Sequence, residues 1–251
     1  MAQIRALFWD VGGVLLTNAW DHEERGLAIR QFSLDKAQFE ARHKEMVSSF
    51  EEGRTTLDEY LEHTVFNEPR TFTKAAFQEF MFGLSKPKPE VLEIANRLSG
   101  KYFIGTINNE SRELNQDRIQ RFELKNYFKV FVSSCFVGIR KPDERIYRLA
   151  LDLTQRAEDE CCFIDDRPVN IGLPLRLGCE LCSCKIQSNR GKTCRHWKSS
   201  SDYFRAERIG RTGALGIDAR LGFESMHQES ATICHSPACL RATIKYLPVS
   251  S

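Results

Sequence analysis

The sequence predicts an α/β fold, a parallel sheet with helices on both faces and an inserted all-α segment. Three observations predict it. Short apolar runs alternate with helix-like segments over 86–178. A stretch of helical spacing, 18–85, separates the first apolar run from the others. The runs end on Asp10, Asn108 and Asp165, and in an open α/β sheet the working groups sit at the carboxyl ends of the strands. Strands that alternate with helices imply a parallel sheet covered on both sides.

Residues 3–9 are strand-like, and Asp10-Val11-Gly12-Gly13 follows them, with glycines that permit a tight, unusual turn. Helical spacing then groups Leu27, Ile29 and Phe32; Phe39, His43, Met46, Val47 and Phe50; Leu57, Tyr60 and Leu61; and Phe72, Phe77, Phe80 and Met81. Thr55-Thr56-Leu57-Asp58-Glu59 is a helix start, a hydroxyl before an acidic first turn. The stretch reads as a cap of about four helices. Lys86-Pro87-Lys88-Pro89 breaks it and marks the return to the main domain. Next come helix 89–98, strand 101–107, helix 111–121, strand 129–133, helix 142–152 and strand 161–164. The domain division expected is a core of 1–17 and 86–178, a cap of 18–85 and an atypical, poorly ordered tail of 179–251.

A chain of 251 residues holds one such domain with an insertion. With 36 basic and 34 acidic residues no strong field draws it to nucleic acid. No apolar run is long enough to cross a membrane, and Met1 leads straight into the first strand without a secretory leader, so a cytoplasmic location is expected.

Cys162-Phe163-Ile164-Asp165-Asp166-Arg167 places two carboxylates at a strand end, where they repel unless a cation joins them, which is the chemistry of a divalent-metal site. Asp10 repeats the pattern, and Gly138-Ile139-Arg140-Lys141-Pro142 offers a loop lysine before a helix. Each motif alone also suits a plain role. Asp10 fits a turn or helix cap, Lys141-Pro142 a solvated helix start, and Asp165-Asp166 a turn. In this order, on these elements, the chain resembles the haloacid dehalogenase superfamily of hydrolases over about residues 4–178, in the branch with a small helical cap.

The resemblance implies a Rossmann-like core and a Mg²⁺-dependent phosphatase of a small phosphorylated metabolite, while the charge balance and hydropathy above lead to the expectation of neither nucleic acid nor membrane as partner. Asp10 is the implied nucleophile, forming an aspartyl-phosphate. Mg²⁺ is implied between the anions, held by Asp10, the carbonyl of Gly12, Asp165 and Asp166. Lys141 supplies positive charge to the nucleophile and phosphoryl group, and Asn108 and Asn109 are expected to bind the phosphoryl group. Two departures stand out. The family's usual second Asp, two residues past the nucleophile and a general acid worth ~10²–10⁴-fold, is replaced by Gly12. The usual hydroxyl of the second motif is replaced by Asn108. A dehalogenase of the same superfamily, or a silent binding member, is the rival expectation. Trp20 is expected to line the pocket or to pack in the cap, and Glu110 and Arg112 fit a helix start at the surface.

The tail differs in composition. Six of the nine cysteines lie in 179–251, where net charge is also positive. Cys179, Cys182, Cys184, Cys194 and His196 have a spacing that suggests zinc. A second reading fits better. The codons of Cys and Trp begin TG, and read two bases later they encode aliphatic residues. One permitted translation starts Val-Arg-Thr-Leu-Gln-Leu-Gln, an alternating strand. A frame change near Gly178 is therefore expected to have replaced the family's last strand and helix, leaving a bare sheet edge.

Overall fold

Four consecutive buried residues, Ala6–Trp9, form β1 in the computed structural model, which describes residues 3–183, 197–198, 203–209 and 214–218. Their side chains alternate between the two faces of the sheet. Leu7 and Trp9 join one core with Leu15, Leu16, Ile104, Phe128 and Ile164. Ala6 and Phe8 join the other with Ile107, Val132, Ile146, Tyr147 and Phe163. Burial on both faces is why the run is apolar throughout rather than alternating.

Four helices follow as the insertion: α1 (His22–Gln31), α2 (Lys36–Glu51), α3 (Leu57–Thr64) and α4 (Lys74–Gly83). Asp21, Asp35, Thr56 and Thr73 cap their amino ends with side-chain oxygens. At α3 the cap is reciprocal, because Glu59 also accepts from the Thr56 backbone. Phe39, Phe50, Tyr60, Leu61, Phe77 and Met81 make the insertion its own apolar core. The entering and leaving chains run side by side, with Thr17 N donating to Lys86 O at 2.9 Å and Lys88 N to Leu15 O at 3.0 Å.

Pro89 opens α5 (Pro89–Ser99), where its missing N–H costs nothing. Then come β2 (Phe103–Asn108), α6 (Arg112–Arg121), β3 (Val130–Ser133), the short α7 (Ser134–Val137), α8 (Glu144–Thr154), β4 (Cys161–Asp165) and α9 (Pro168–Arg176). With β5 (Glu180–Ser183) they build a five-stranded sheet in the order β3-β2-β1-β4-β5, every pair parallel. The chain progresses outward from β1 in both directions, so the topological switch point lies at the carboxyl end of β1.

β5 corrects the expectation of a missing strand and a bare edge. Gly178, at φ +92°, turns the chain after α9, and Glu180–Ser183 pairs with Cys162–Asp165 of β4. The unpaired edge of β4 satisfies the backbone groups of any segment laid along it, so weak apolar patterning suffices. Beyond it, β6 (Trp197–Lys198), β7 (Tyr203–Ile209) and β8 (Ala214–Asp218) form an antiparallel sheet. Cys179 is buried. Cys184, Cys194 and His196 of the zinc reading lie outside the described residues, as does most of the tail expected to be poorly ordered. Among the described residues no helix is long and apolar enough to cross a membrane.

Candidate active site

The register of the sheet brings the acids together. Trp9 pairs with Ile164, so the next residues, Asp10 and Asp165, emerge side by side, and Asp10 N donates to Ile164 O at 2.8 Å. Ligand oxygens of Asp10, Asp165 and Asp166 lie within 4.8 Å of one another. Lys141 reaches the same point, its Nζ 3.0 Å from Asp10 Oδ2 and 2.6 Å from Asp165 Oδ2. The four residues come from three separate stretches of chain, at the ends of β1 and β4 and in the loop before α8.

Each carboxylate is held differently. Asp10 Oδ1 accepts from Val11 N at 2.7 Å. Asp165 Oδ1 accepts from Arg167 N at 2.8 Å, and both its oxygens accept from Asn170 Nδ2 at 3.2 and 3.0 Å. Asp166 Oδ1 is buried with no hydrogen-bond partner. An orphaned, buried carboxylate oxygen beside two other carboxylates is costly unless a cation meets it, and an all-oxygen set is the set a hard divalent ion takes. The residues therefore fit Mg²⁺.

The electrostatics agree with that crowding. Burial pushes the Asp10 carboxyl up to about 6; Lys141 opposes the shift and Asp165 adds to it. Burial, then Asp165, likewise raises Asp166. Burial on its own would lower Lys141, but Asp10 and Asp165 outweigh it and hold the ammonium above its ordinary value.

The two glycines after Asp10 have separate reasons. Gly13 sits at φ +74°, and a β-carbon there would come 2.2 Å from Asp166 Oδ2. The Lys88 ammonium donates to its carbonyl. Gly12 forms an isolated backbone bridge with Leu16.

The asparagines are both anchored within the fold. Asn108, 1 % exposed, donates from Nδ2 to Asn115 Oδ1 at 2.9 Å and accepts from Ser133 Oγ at 2.8 Å. These bonds tie β2 to β3 and α6. Asn109 Nδ2 donates to Lys141 O at 2.9 Å, and its Oδ1 accepts from Lys141 N at 2.8 Å. It clamps the lysine backbone. Trp20 is a packing residue, edge-on to Phe39 and Phe77, with Nε1 donating to Tyr60 Oη at 2.8 Å.

Around the mouth, loops of the sheet domain grip the helical insertion. Arg167 pairs with Asp21 at 2.6 Å, and Arg140 pairs with Glu51 at 2.6 Å and donates to Ser48 Oγ at 3.2 Å. Beneath them lies a pair that sequence reasoning missed. Glu110 is buried rather than at the surface, and its Oε2 accepts from Arg118 Nη1 at 2.8 Å. Burial pushes the Glu110 carboxyl up to about 7, Arg118 opposing. The signal was present in α6: Arg118 lies at helical spacing from the buried Leu114 and Asn115, which puts a cation on the inward face.

The chain matches the haloacid dehalogenase-like hydrolase family over residues 4–173. It belongs to that family. Among curated proteins, this hydrolase chain is 26 % identical to bifunctional epoxide hydrolase 2 of Sus scrofa over 183 residues, 65 % of this chain and 33 % of that protein. It is 35 % identical to the pyrimidine 5'-nucleotidase YjjG of Escherichia coli over 77 residues, 31 % of this chain and 34 % of that protein. The chain thus spans about a third of the length of the curated relatives it matches. Among solved structures, the haloacid dehalogenase family enzyme bt-2542 of Bacteroides thetaiotaomicron superposes with a TM-score of 0.66 at 18 % identity, over 75 % of this chain and 97 % of that one. The L-2-haloacid dehalogenase of Xanthobacter autotrophicus superposes at 0.55 and 15 % identity, over 74 % and 80 %. At these identities the superpositions establish the α/β fold.

Proposed function

We propose that this hydrolase is a Mg²⁺-dependent phosphatase of a small phosphorylated metabolite, acting through an aspartyl-phosphate on Asp10. The observation that carries the reading is the meeting of Asp10, Asp165 and Asp166 within 4.8 Å, with one buried oxygen of Asp166 unpartnered. A carboxylate that attacks an electrophilic carbon gains nothing from two more carboxylates beside it. One that attacks a phosphate dianion needs cations near it, and the acids assemble the place for one.

In this reading Asp10, the Gly12 carbonyl, Asp165 and Asp166 hold Mg²⁺. When bound, the ion neutralises charge on the phosphoryl oxygens and on the carboxylates around them. The chain's own residues do the rest. Val11 N fixes Asp10 Oδ1, leaving Oδ2 beside the lysine as the attacking atom. Lys141 keeps its proton and lends its charge to the anions as the phosphoryl group moves. Asn109 fixes that lysine through its backbone, so the ammonium is placed before substrate arrives. Asn170 and Arg167 N orient Asp165. The bt-2542 enzyme has been solved with magnesium and inorganic phosphate, and a nucleotidase is among the curated relatives; both lend support.

We also propose the domain division of 1–17 with 86–178 as core, which β5 extends to residue 183, and 18–85 as cap, supported by the paired linkers at Thr17–Lys86 and Leu15–Lys88. A second reading, dehalogenation at carbon, has Gly12 in its favour because that chemistry uses no acid there. The test is release of inorganic phosphate from a panel of phosphate monoesters, with and without EDTA and with Asp10→Asn as control. Phosphate release that stops on chelation and in the control is expected. Turnover that survives chelation sinks the phosphatase reading.

A further inference from the structure

The position two residues past Asp10 is hemmed in. A β-carbon built at Gly12 would stand 3.2 Å from Asn18 Oδ1 and 3.7 and 3.8 Å from the terminal nitrogens of Arg118. That guanidinium is fixed. Its side chain is 2 % exposed, Nη1 donates to Glu110 Oε2 at 2.8 Å, and Nη2 donates to Thr17 O at 2.7 Å. Glu110 is fixed in turn, its Oε1 accepting from Ser111 N at 3.0 Å and its own N donating to Ser134 Oγ at 3.0 Å. The place toward which a second acid would project is thus faced by a guanidinium, a hydrogen-bond donor that is no substitute for a carboxylic acid.

We infer that Arg118, locked by Glu110, stands in for the absent second acid, and that the site consequently takes phosphate esters whose leaving group departs as a stable anion: aryl, enol and acyl phosphates in preference to alkyl phosphates. The inference rests on the phosphatase reading above. In the step it describes, a bond forms from Asp10 Oδ2 to phosphorus as the bond from phosphorus to the leaving oxygen breaks. That oxygen keeps the electron pair and is protonated later by water, and nothing is oxidised or reduced. Water then displaces the phosphoryl group from Asp10, releasing phosphate and a proton to solution. Without an acid the first step depends steeply on the stability of the leaving anion.

The test uses the full chain with Mg²⁺ and a series of substituted phenyl phosphates alongside alkyl phosphates, read as kcat/KM against leaving-group pKa. The aryl esters are expected to exceed the alkyl esters by at least about 100-fold, the lower reach of what a general acid supplies. A smaller gap overturns the inference while leaving the phosphatase reading intact. A second arm installs a carboxylate with Gly12→Asp. Arg118 is close enough to pair with it and hold it ionised, so the gap is expected to persist. Selective gain on alkyl esters that closes the gap overturns the inference. If that variant is inert or unfolded, the gap in the unaltered chain decides alone. No turnover of any ester, with no phosphate trapped on Asp10, defeats the phosphatase reading and this inference with it.

Discussion

Lys141 shows how much a single residue does here. It is almost fully buried, touches both Asp10 and Asp165, and has its backbone gripped by Asn109. Lys141→Ala is expected to lower kcat by ~10²–10³-fold, the usual loss when one preorganised charge is removed. Lys141→Arg is expected to recover little, because a planar fork does not fit where a compact ammonium bridges two carboxylates. Steady-state kinetics on the best ester of the panel checks both. In the proposed mechanism Asp10 is expected to set the acid side of the pH profile. Its carboxyl is raised to about 6 by burial, so it is protonated, and useless as a nucleophile, below that pH, and activity rises as pH climbs through it. Mg²⁺ favours the ionised form, so the rising limb is expected to move to lower pH as the metal concentration increases. Profiles at limiting and saturating Mg²⁺ measure this, and a limb that stays fixed contradicts it.

At the scale of elements, the end of β2 separates support from function in two adjacent residues. Asn108 joins β2, β3 and α6 through Ser133 and Asn115, all buried. Asn108→Ala strands a hydroxyl and an amide oxygen, and about 1–3 kcal/mol of stability is expected to go. Asn109→Ala frees the Lys141 loop, and activity is expected to fall more than stability does. Urea unfolding and kinetics on the two variants give opposite orders if this is right. The same elements show what the sequence made legible. Apolar runs bounded by glycine and proline, and the hydroxyls before Leu57, announce strands and a capped helix because those signals are local. The convergence of Asp10, Lys141 and Asp165 was readable from their places at strand ends. The partners of the asparagines were not, since an amide's partner is chosen by tertiary contact. Glu110 was likewise hidden, because its guanidinium lies eight residues further along in the chain.

The whole molecule depends on a late strand. β5 closes the outer edge of β4, whose residue Asp165 belongs to the site. It escaped sequence reading because what makes Glu180–Ser183 a strand is the neighbour it pairs with rather than a pattern of its own. A chain ending at residue 178 is expected to melt at lower temperature and to aggregate more than one ending at residue 183, since the bare edge is then offered to other molecules. Calorimetry and light scattering on the two lengths make the comparison. Equal melting and equal scattering would remove β5 from the account.

The twin glycines after Asp10 look interchangeable on paper, yet their surroundings set different evolutionary latitudes. A methyl at Gly13 would collide with the carboxylate of Asp166 and strain a left-handed backbone, whereas at Gly12 the backbone is unstrained and the nearest atom, Asn18 Oδ1, stands 3.2 Å away. In a saturation library sorted for hydrolysis, codon 13 should survive as one amino acid only. Codon 12 should drift toward the smallest alternatives, making it the neighbouring spot where natural variation can accumulate.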